Sequence, residues 1–384
     1  MEMSEKNLKD YAKVTENGSI LLGKNTVVDG FYPGRQIGVF SHIHEDHTRL
    51  FTAALHNCSL IYTCPATFDM LAALEQDEKT NVSAECYFNG RHIHRLDPDD
   101  TITPRLHVRE LNAKNEVSDS ITLKNSHHML GSAQILVTTD DNVDIVYSGD
   151  FAYPGTEPIK CDVLVLDATH GSPMFNAVVE HDSLENTLCE LVKQEIEATN
   201  PVCIRSHVGR LQYTMSLLSK EIAENVKFLS PNKRQRKLIP IYKKYKMNIR
   251  EVIDTDTFDG DEILSGKFPF VEFKSLNGKK SEAEMSNRST VFMIGGQGNL
   301  GSSTVIKQYV DEQTGKINEK EYRLEFGDHG NYNGILDYVR KCEPSLVITD
   351  DYRSAWGKTL ADRINDMSSA EKLGIEAVAQ GSQR

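Results

Sequence analysis

At 384 residues, with 39% hydrophobic and 26% charged residues, the chain has the composition of a globular protein with a sizeable core. Its length allows two domains, or one domain carrying a large insertion. No apolar run is long enough to span a bilayer, "MEMSEKNLKDYAKV" is too polar for a signal peptide, and a net charge of −13 argues against a polyanionic partner for the chain taken as a whole.

The expectation is an intracellular protein, cytoplasmic or associated with the nucleoid or nucleus. Seven scattered cysteines (Cys58, Cys64, Cys86, Cys161, Cys189, Cys203, Cys342) never form a C-x-x-C pair. They argue against a disulfide framework and a thiolate zinc site, and read as small buried hydrophobes.

In chain order, the first segments are short strands. "SILLG" (19–23), "NTVVDGF" (25–31), "QIGVFSHI" (36–43) and "CSLIYTC" (58–64) are brief apolar or β-branched runs bounded by turn-forming residues. Directly behind "IGVF", the motif "HIHEDH" brings His42, His44, Asp46 and His47 together. Along extended backbone, residues two apart point to one side, so His42 and His44 can offer imidazoles to one point. Past a bend, Asp46 and His47 can reach a second point. Imidazole and carboxylate together suit Zn²⁺, and less selectively Mn²⁺ or Fe²⁺. The chain supplies its own control in His92 and His94, an H-x-H pair with no Asp-His behind it, which reads as ordinary exposed strand. Asp29, at the end of "NTVVD", reads either as a carboxylate orienting a ligating histidine or as a turn residue.

"SITLKNSHHMLGSAQILVTT" (120–139) offers His127 or His128 at a strand entry. "DNVDIVYSGDF" (141–151) ends an apolar strand with Asp150, placed so that a carboxylate could bridge two cations. Two cations roughly 3.5–4 Å apart would lower the pKa of a shared water and offset charge on a departing oxygen.

From about Pro173 the texture changes to strand–helix alternation, which predicts a parallel α/β unit. A helix over 181–199 has apolar spacing at Leu184, Leu188, Leu191, Val192 and Ile196. Between Lys227 and Arg250 nine Lys/Arg occur with no acid. That run is either a solvated helix face or a phosphate-tracking patch, with Lys233, Arg234, Arg236 and Lys237 at its centre. "STVFMIGGQGNLGSSTVIKQYV" (289–310) reads as strand, Gly-rich turn and helix, followed by a polar link over 311–321. "YRLEFGDHGNY" ends a further strand with His329, "SLVITDDY" ends another at Asp350 and Asp351, a last helix begins near Ser354, and "AVAQGSQR" reads as a frayed tail.

The H-x-H-x-D-H motif, "HMLGSA" (128–133) and "YSGDF" (147–151), in this order, resemble the metallo-β-lactamase superfamily. Over most of the chain the resemblance is to its β-CASP nuclease branch. It implies an α/β, four-layer αβ/βα fold with an inserted α/β β-CASP domain, divided as 1–172, 173–318 and 319–384. The family register selects His128 over His127. The resemblance implies two Zn²⁺: His42, His44 and His128 on one, Asp46, His47 and His329 on the other, Asp150 bridging. Asp46, Asp150, Asp167 and His329 would form the catalytic machinery. Asp167 comes from "LDATHGSP", similar to the family's D/E-x-T-Y-G turn, with His170 where a tyrosine is usual. "HVGRLQ" resembles the G-R-x-Q segment, giving Arg210 as a phosphate contact. "GGQGNLGS" resembles the Gly-rich phosphate segment, giving Gly296 and Gly298. "EFGDHGNY" is similar to the branch's S-x-H-[ST]-x-Y element.

These implications predict a metal-dependent nuclease with water as direct nucleophile. RNA-directed members (RNase J, the polyadenylation-cleavage endonucleases) carry a further histidine at the next strand end, where this chain has Asp350 and Asp351. DNA-directed members, similar to Artemis and the crosslink-repair nucleases, lack it and share a V-D-G/A-F start like Val28–Phe31. DNA hydrolysis, as an exonuclease in repair or processing, therefore leads, with a ribonuclease as alternative. A small-molecule metallohydrolase is disfavoured by the long stretch Pro173–Asn318. A catalytically decayed nucleic-acid-binding scaffold is disfavoured by the filled ligand positions.

Overall fold

In the computed structural model, residues 7–75, 92–104, 119–176, 181–276, 289–294, 304–310, 317–324 and 328–382 are described. The chain divides into two compact units, Met1–Asn176 with His329–Arg384, and Ala177–Asp328.

The first unit opens with a six-stranded sheet of consecutive strands: β1 (Ala12–Val14), β2 (Ile20–Leu22), β3 (Thr26–Val28), β4 (Ile37–Phe40), β5 (Leu60–Thr63) and β6 (Ile93–Arg95). It is antiparallel up to β3 and parallel from there. Parallel strands need crossovers, and α1 (Glu45–Thr48), α2 (Phe51–Asn57) and α3 (Pro65–Glu75) lie in them. Phe51 of α2 meets Phe40 of β4 edge-on, ring centroids 4.9 Å apart. His92 and His94 flank and lie on β6, apart from the histidines described below.

A second sheet is begun by β7 (Thr101–Ile102), β8 (Ser120–Asn125), β9 (Ala133–Thr138), β10 (Asp144–Tyr147) and β11 (Val163–Leu166). The chain then builds the second unit from α4 (His181–Glu197), β12 (Val202–Ser206), α5 (Arg210–Glu221), β13 (Lys227–Ser230), α6 (Lys233–Lys244), β14 (Val252–Asp254), α7 (Phe258–Glu262), β15 (Phe270–Ser275), β16 (Ser289–Ile294), β17 (Thr304–Val310) and β18 (Ile317–Leu324). Its sheet runs β14-β13-β15-β12-β16-β18-β17 and is parallel except for the β17–β18 pair, as the strand–helix alternation predicts.

Back in the first unit, α8 (Tyr332–Cys342), β19 (Leu346–Asp350), α9 (Gly357–Glu371) and β20 (Glu376–Gln380) complete the second sheet, in the order β20-β19-β11-β10-β9-β8-β7. Strand alternation sorts its residues between two cores. Val163 and Val165 of β11 join Val28, Val39 and Ile145 between the sheets. Leu164 and Leu166 join Ile335, Tyr338, Leu360 and Ile364 of α8 and α9 on the outer face. Strands apolar on both faces read as continuous runs such as "VLVL".

Three sequence-based expectations are corrected. Residues 304–310 form a strand, not a helix; "TVIKQYV" is rich in β-branched residues and pairs antiparallel with β18. The end of the polar link, 317–321, opens β18, which pairs with both β16 and β17, and the inserted unit extends to Asp328 and not to 318. The expected frayed tail contains β20, paired parallel with β19, and Gln380 accepts the backbone N–H of Val14 at 3.0 Å. Among the described residues no helix is long and apolar enough to cross a membrane.

Candidate metal centre

The centre is built where strand ends converge in the first unit. After β4 the chain stays extended through His44 (φ −62°, ψ 148°), which serves as N-cap of α1; Asp46 and His47 lie in that helix's first turn. Extended backbone followed by a helical bend therefore sets two histidines on one side and the Asp-His pair beyond them. His128 is buried after β8, whereas His127 is exposed, with φ at +54°. Asp150 follows β10 behind Gly149, whose φ is +54° and whose Cβ would lie 2.7 Å from the carbonyl oxygen of Ala133, so the approach needs glycine. His329 opens the segment that returns to the first unit.

One ligand atom from each of His42, His44, His128 and Asp150 lies within 4.8 Å of the others. His44 Nδ1 and His128 Nε2 are 3.1 Å apart. Asp150 Oδ2 is 3.5 Å from His42 Nε2 and 3.5 Å from His128 Nε2. Ligands about 2.0–2.1 Å from a tetrahedral zinc stand about 3.3–3.4 Å apart, so these spacings fit one cation. Of the second expected set, His47 and His329 approach the same carboxylate and Asp46 approaches His47; neither Asp46 nor His47 joins a candidate metal-holding group among the described residues. His47 Nε2 lies 3.2 Å from Asp150 Oδ1 and 3.5 Å from Asp46 Oδ2, and His329 Nε2 lies 3.8 Å from Asp150 Oδ2. Asp46 is the exposed member, its side chain 56% accessible.

Two carboxylates hold the far side of the rings. Asp29 Oδ2 meets His47 Nδ1 at 2.7 Å, and Asp167 Oδ2 meets His329 Nδ1 at 2.7 Å. Each carboxylate accepts an Nδ1–H, which leaves the Nε2 lone pair available to a metal ion. Ser41 does the same for His42. Its hydroxyl donates to Asp29 Oδ2 (2.6 Å), so toward His42 Nδ1 (2.9 Å) it must accept. Ser41 N–H also donates to Asp29 Oδ1 at 2.7 Å. Asp167 Oδ1 accepts from the N–H and hydroxyl of Thr169, at 2.8 and 2.7 Å.

The donor set fits divalent metal ions. His42 Nε2 and His47 Nε2 are buried and lack any hydrogen-bond partner, although buried imidazole nitrogens are ordinarily satisfied. The 3.2 Å approach of His47 Nε2 to Asp150 does not have hydrogen-bond alignment, so proximity there reflects charge and not a formed bond. Burial and the neighbouring His47 hold His42 well below the usual imidazole range, keeping its lone pair available. For His47 burial disfavours the charged form, but Asp150 and Asp29 outweigh it, and its pKa lies well above the usual range. Burial likewise works against the Asp150 anion, yet His47 and His329 hold its carboxyl well below the ordinary value. Asp167 is lowered against burial, chiefly by His329.

A prediction follows from His47. A cation at Nε2 must displace the proton that its raised pKa retains at neutral pH, so metal uptake releases protons and affinity falls as the pH is lowered. Zinc titrations by calorimetry, in buffers of different ionisation enthalpy, should give apparent heats that change with buffer. Heats independent of buffer would show that His47 is not a ligand.

The other expected residues divide. Arg210 starts α5 behind Gly209, whose φ of +90° needs glycine and whose N–H is accepted by Gln212 Oε1 at 2.8 Å, so "GRLQ" is local helix-start chemistry. The Arg210 side chain is 9% exposed, with Nε 4.0 Å from Asp328 and the guanidinium 5.4 Å from the centroid of Tyr213. Gly296 and Gly298 lie outside the described residues. Lys233 and Arg234 are exposed on α6 and Lys237 is half-buried. Arg236 donates to the Ser230 carbonyl and pairs with Asp254, and so ties the ends of β13 and β14.

Sequence reasoning missed Ser41 and the packing of His170, whose ring centroid lies 5.4 Å from that of His329 and whose Nδ1 is 3.2 Å from the Gly330 carbonyl. Ser41 sits directly before the motif, which is the only signal it gives. Asp350 and Asp351 join none of the candidate metal-holding groups among the described residues.

No family model matches the chain. Over 104 residues, 27% of this chain and 73% of the relative, it is 32% identical to an Acidianus ambivalens protein named "Uncharacterized protein in lig 3'region", and it belongs to the same family as that protein. A solved structure of a protein of unknown function from Enterococcus faecalis V583 aligns with a TM-score of 0.53 at 15% identity, covering 82% of this chain and 74% of that one, a likeness of fold.

Proposed function

We propose that the chain is a two-zinc phosphodiesterase that hydrolyses nucleic acid, DNA ahead of RNA, with the αβ/βα metallo-β-lactamase fold and an inserted β-CASP unit. The observation that carries this reading is Asp150, whose carboxylate lies among imidazoles of both proposed sets, His47 on Oδ1 and His42, His128 and, at 3.8 Å, His329 on Oδ2. His42, His44 and His128 would hold one cation, Asp46, His47 and His329 the other, and Asp150 both. Bound there, two cations supply an activated water and offset the charge that develops on a phosphoryl group and its leaving oxygen.

The chain's own residues set the geometry. Asp29 and Asp167 retain the Nδ1 protons of His47 and His329, fixing both rings. Ser41 fixes His42. The exposed bases of α6, Lys233, Arg234 and the half-buried Lys237 would hold backbone phosphates. Preference for DNA is supported at the end of β19, where RNA-directed relatives of the resemblance have a histidine. There the Asp350 carboxylate is taken up by Arg353, at 2.7 Å from Nη1.

Incubation of the full chain with 5′- and 3′-labelled single- and double-stranded DNA and RNA, with Zn²⁺ or Mn²⁺, tests the proposal. DNA shortened stepwise from one end, and intact under chelator, is expected. Cleavage of RNA alone would replace DNA by RNA as substrate, and no cleavage of either would overturn the nuclease reading.

A further inference from the structure

The turn after β19 carries a buried cation that the proposed chemistry does not use. The Arg353 side chain is 6% exposed and its partner Asp350 is 3% exposed. Asp350 Oδ2 accepts Arg353 Nη1 at 2.7 Å, and Oδ1 accepts the backbone N–H groups of Tyr352 (2.9 Å) and Arg353 (3.2 Å), so turn and ion pair fix each other. Buried ion pairs are costly to desolvate and are often replaceable by apolar residues without loss of stability. A positioning role would give this pair a use beyond stability.

Its other arm supplies one. Arg353 Nη2 donates to the backbone carbonyl of Asp29 at 3.3 Å. Asp29 has a φ of +49°, a left-handed conformation that non-glycine residues seldom adopt. The next residue is equally confined, since a Cβ on Gly30 would come within 2.2 Å of Ser19 Oγ. From this backbone the Asp29 carboxylate reaches Ser41 and His47 Nδ1. The same turn is anchored on its other side, where the Ser354 hydroxyl donates to the carbonyl of Ala168, next to Asp167, at 2.7 Å.

We infer that Arg353, clamped by Asp350, is a positioning residue: it holds Asp29 in its left-handed conformation and thereby aims His47 Nε2 into the metal centre. The inference rests on the metal-centre reading. It places the control of one metal ligand in a turn whose hydrogen bonds run to the backbone of Asp29 and Ala168.

Zinc uptake by the full chain, measured by competition with a chromogenic chelator, tests it in wild type, Arg353→Met, Asp29→Asn and the double variant. Wild type should take up two ions. Arg353→Met should weaken one of them by about 10- to 100-fold, the range found when the partner of a ligating histidine is removed. In the Asp29→Asn background the same change should cost less than about threefold, because both act through one histidine. Arg353→Lys, which keeps the charge and loses the second bond, should recover part of the affinity, and carries the same comparison if Arg353→Met does not fold. Unchanged uptake in Arg353→Met, or an equal loss in both backgrounds, overturns the inference while leaving the metal centre standing. A wild-type chain that takes up no zinc overturns both.

Discussion

Asp150→Asn is expected to slow phosphodiester hydrolysis on the order of 10³-fold or more, and to lower metal content from two ions per chain to one or fewer. Asp150 is 8% exposed, and its two oxygens are placed toward both sets of imidazoles: Oδ1 toward His47, Oδ2 toward His42, His128 and His329. An asparagine fills the same volume but offers a single carbonyl oxygen. Its amide N–H₂ group would face ring nitrogens whose lone pairs are needed for ligation, so one set must lose its donor. Asp46→Asn should be milder, because Asp46 is exposed and lies 3.5 Å from His47 Nε2. Metal analysis of dialysed protein and initial rates on a labelled strand read both effects, and unfolding in chelator shows whether the fold is retained. Wild-type metal content and rate in Asp150→Asn would sink the two-cation mechanism.

Apart from what the family resemblance implied, what could be read from the sequence was local. In "HIHEDH" the strand end, the bend and four donors are contiguous, so spacing alone places them, and the structure brings them together. Asp29 could be read only as one of two alternatives, because its pairing with His47 depends on a left-handed backbone that no local pattern announces. The bond from Arg353 to Asp29 spans 324 positions and leaves no periodicity at either end. The missed strands have a different cause. β20, "EAVAQ", is only partly buried, and β18, "INEKEYRL", opens on a charged stretch, so composition there resembles linker and tail. Pairing with β16 and β19 decides their conformation, and a pairing partner is not visible from within the segment.

The basic run shows the same limit, and it supplies the second large effect. Charge reversal at Lys233, Arg234 and Lys237 is expected to weaken nucleic-acid binding and to reduce the slope of log affinity against log salt by up to about 3, near 0.9 for each phosphate left without its cation. The helix explains why these three and not the whole run. On α6, Gln235, Leu238, Ile239, Ile241 and Tyr242 are buried, and Asn232 caps the N-terminus by accepting from Gln235 N–H at 3.1 Å. The basic residues therefore occupy the face away from the core, but they are not equivalent. Arg236 is committed to Ser230 and Asp254. Arg250, at the far end of the run, donates to the carbonyls of Ser219, Ile222, Ala223 and Val226 around the C-terminus of α5. Arg236→Glu would set a second carboxylate against Asp254 and should cost about 1–3 kcal/mol of stability. Binding measured across a salt series, beside denaturant unfolding of both variants, separates a phosphate-tracking surface from a structural one. If the triple reversal leaves affinity and salt slope unaltered, α6 is a solvated face, and nucleic acid must be held elsewhere on the chain.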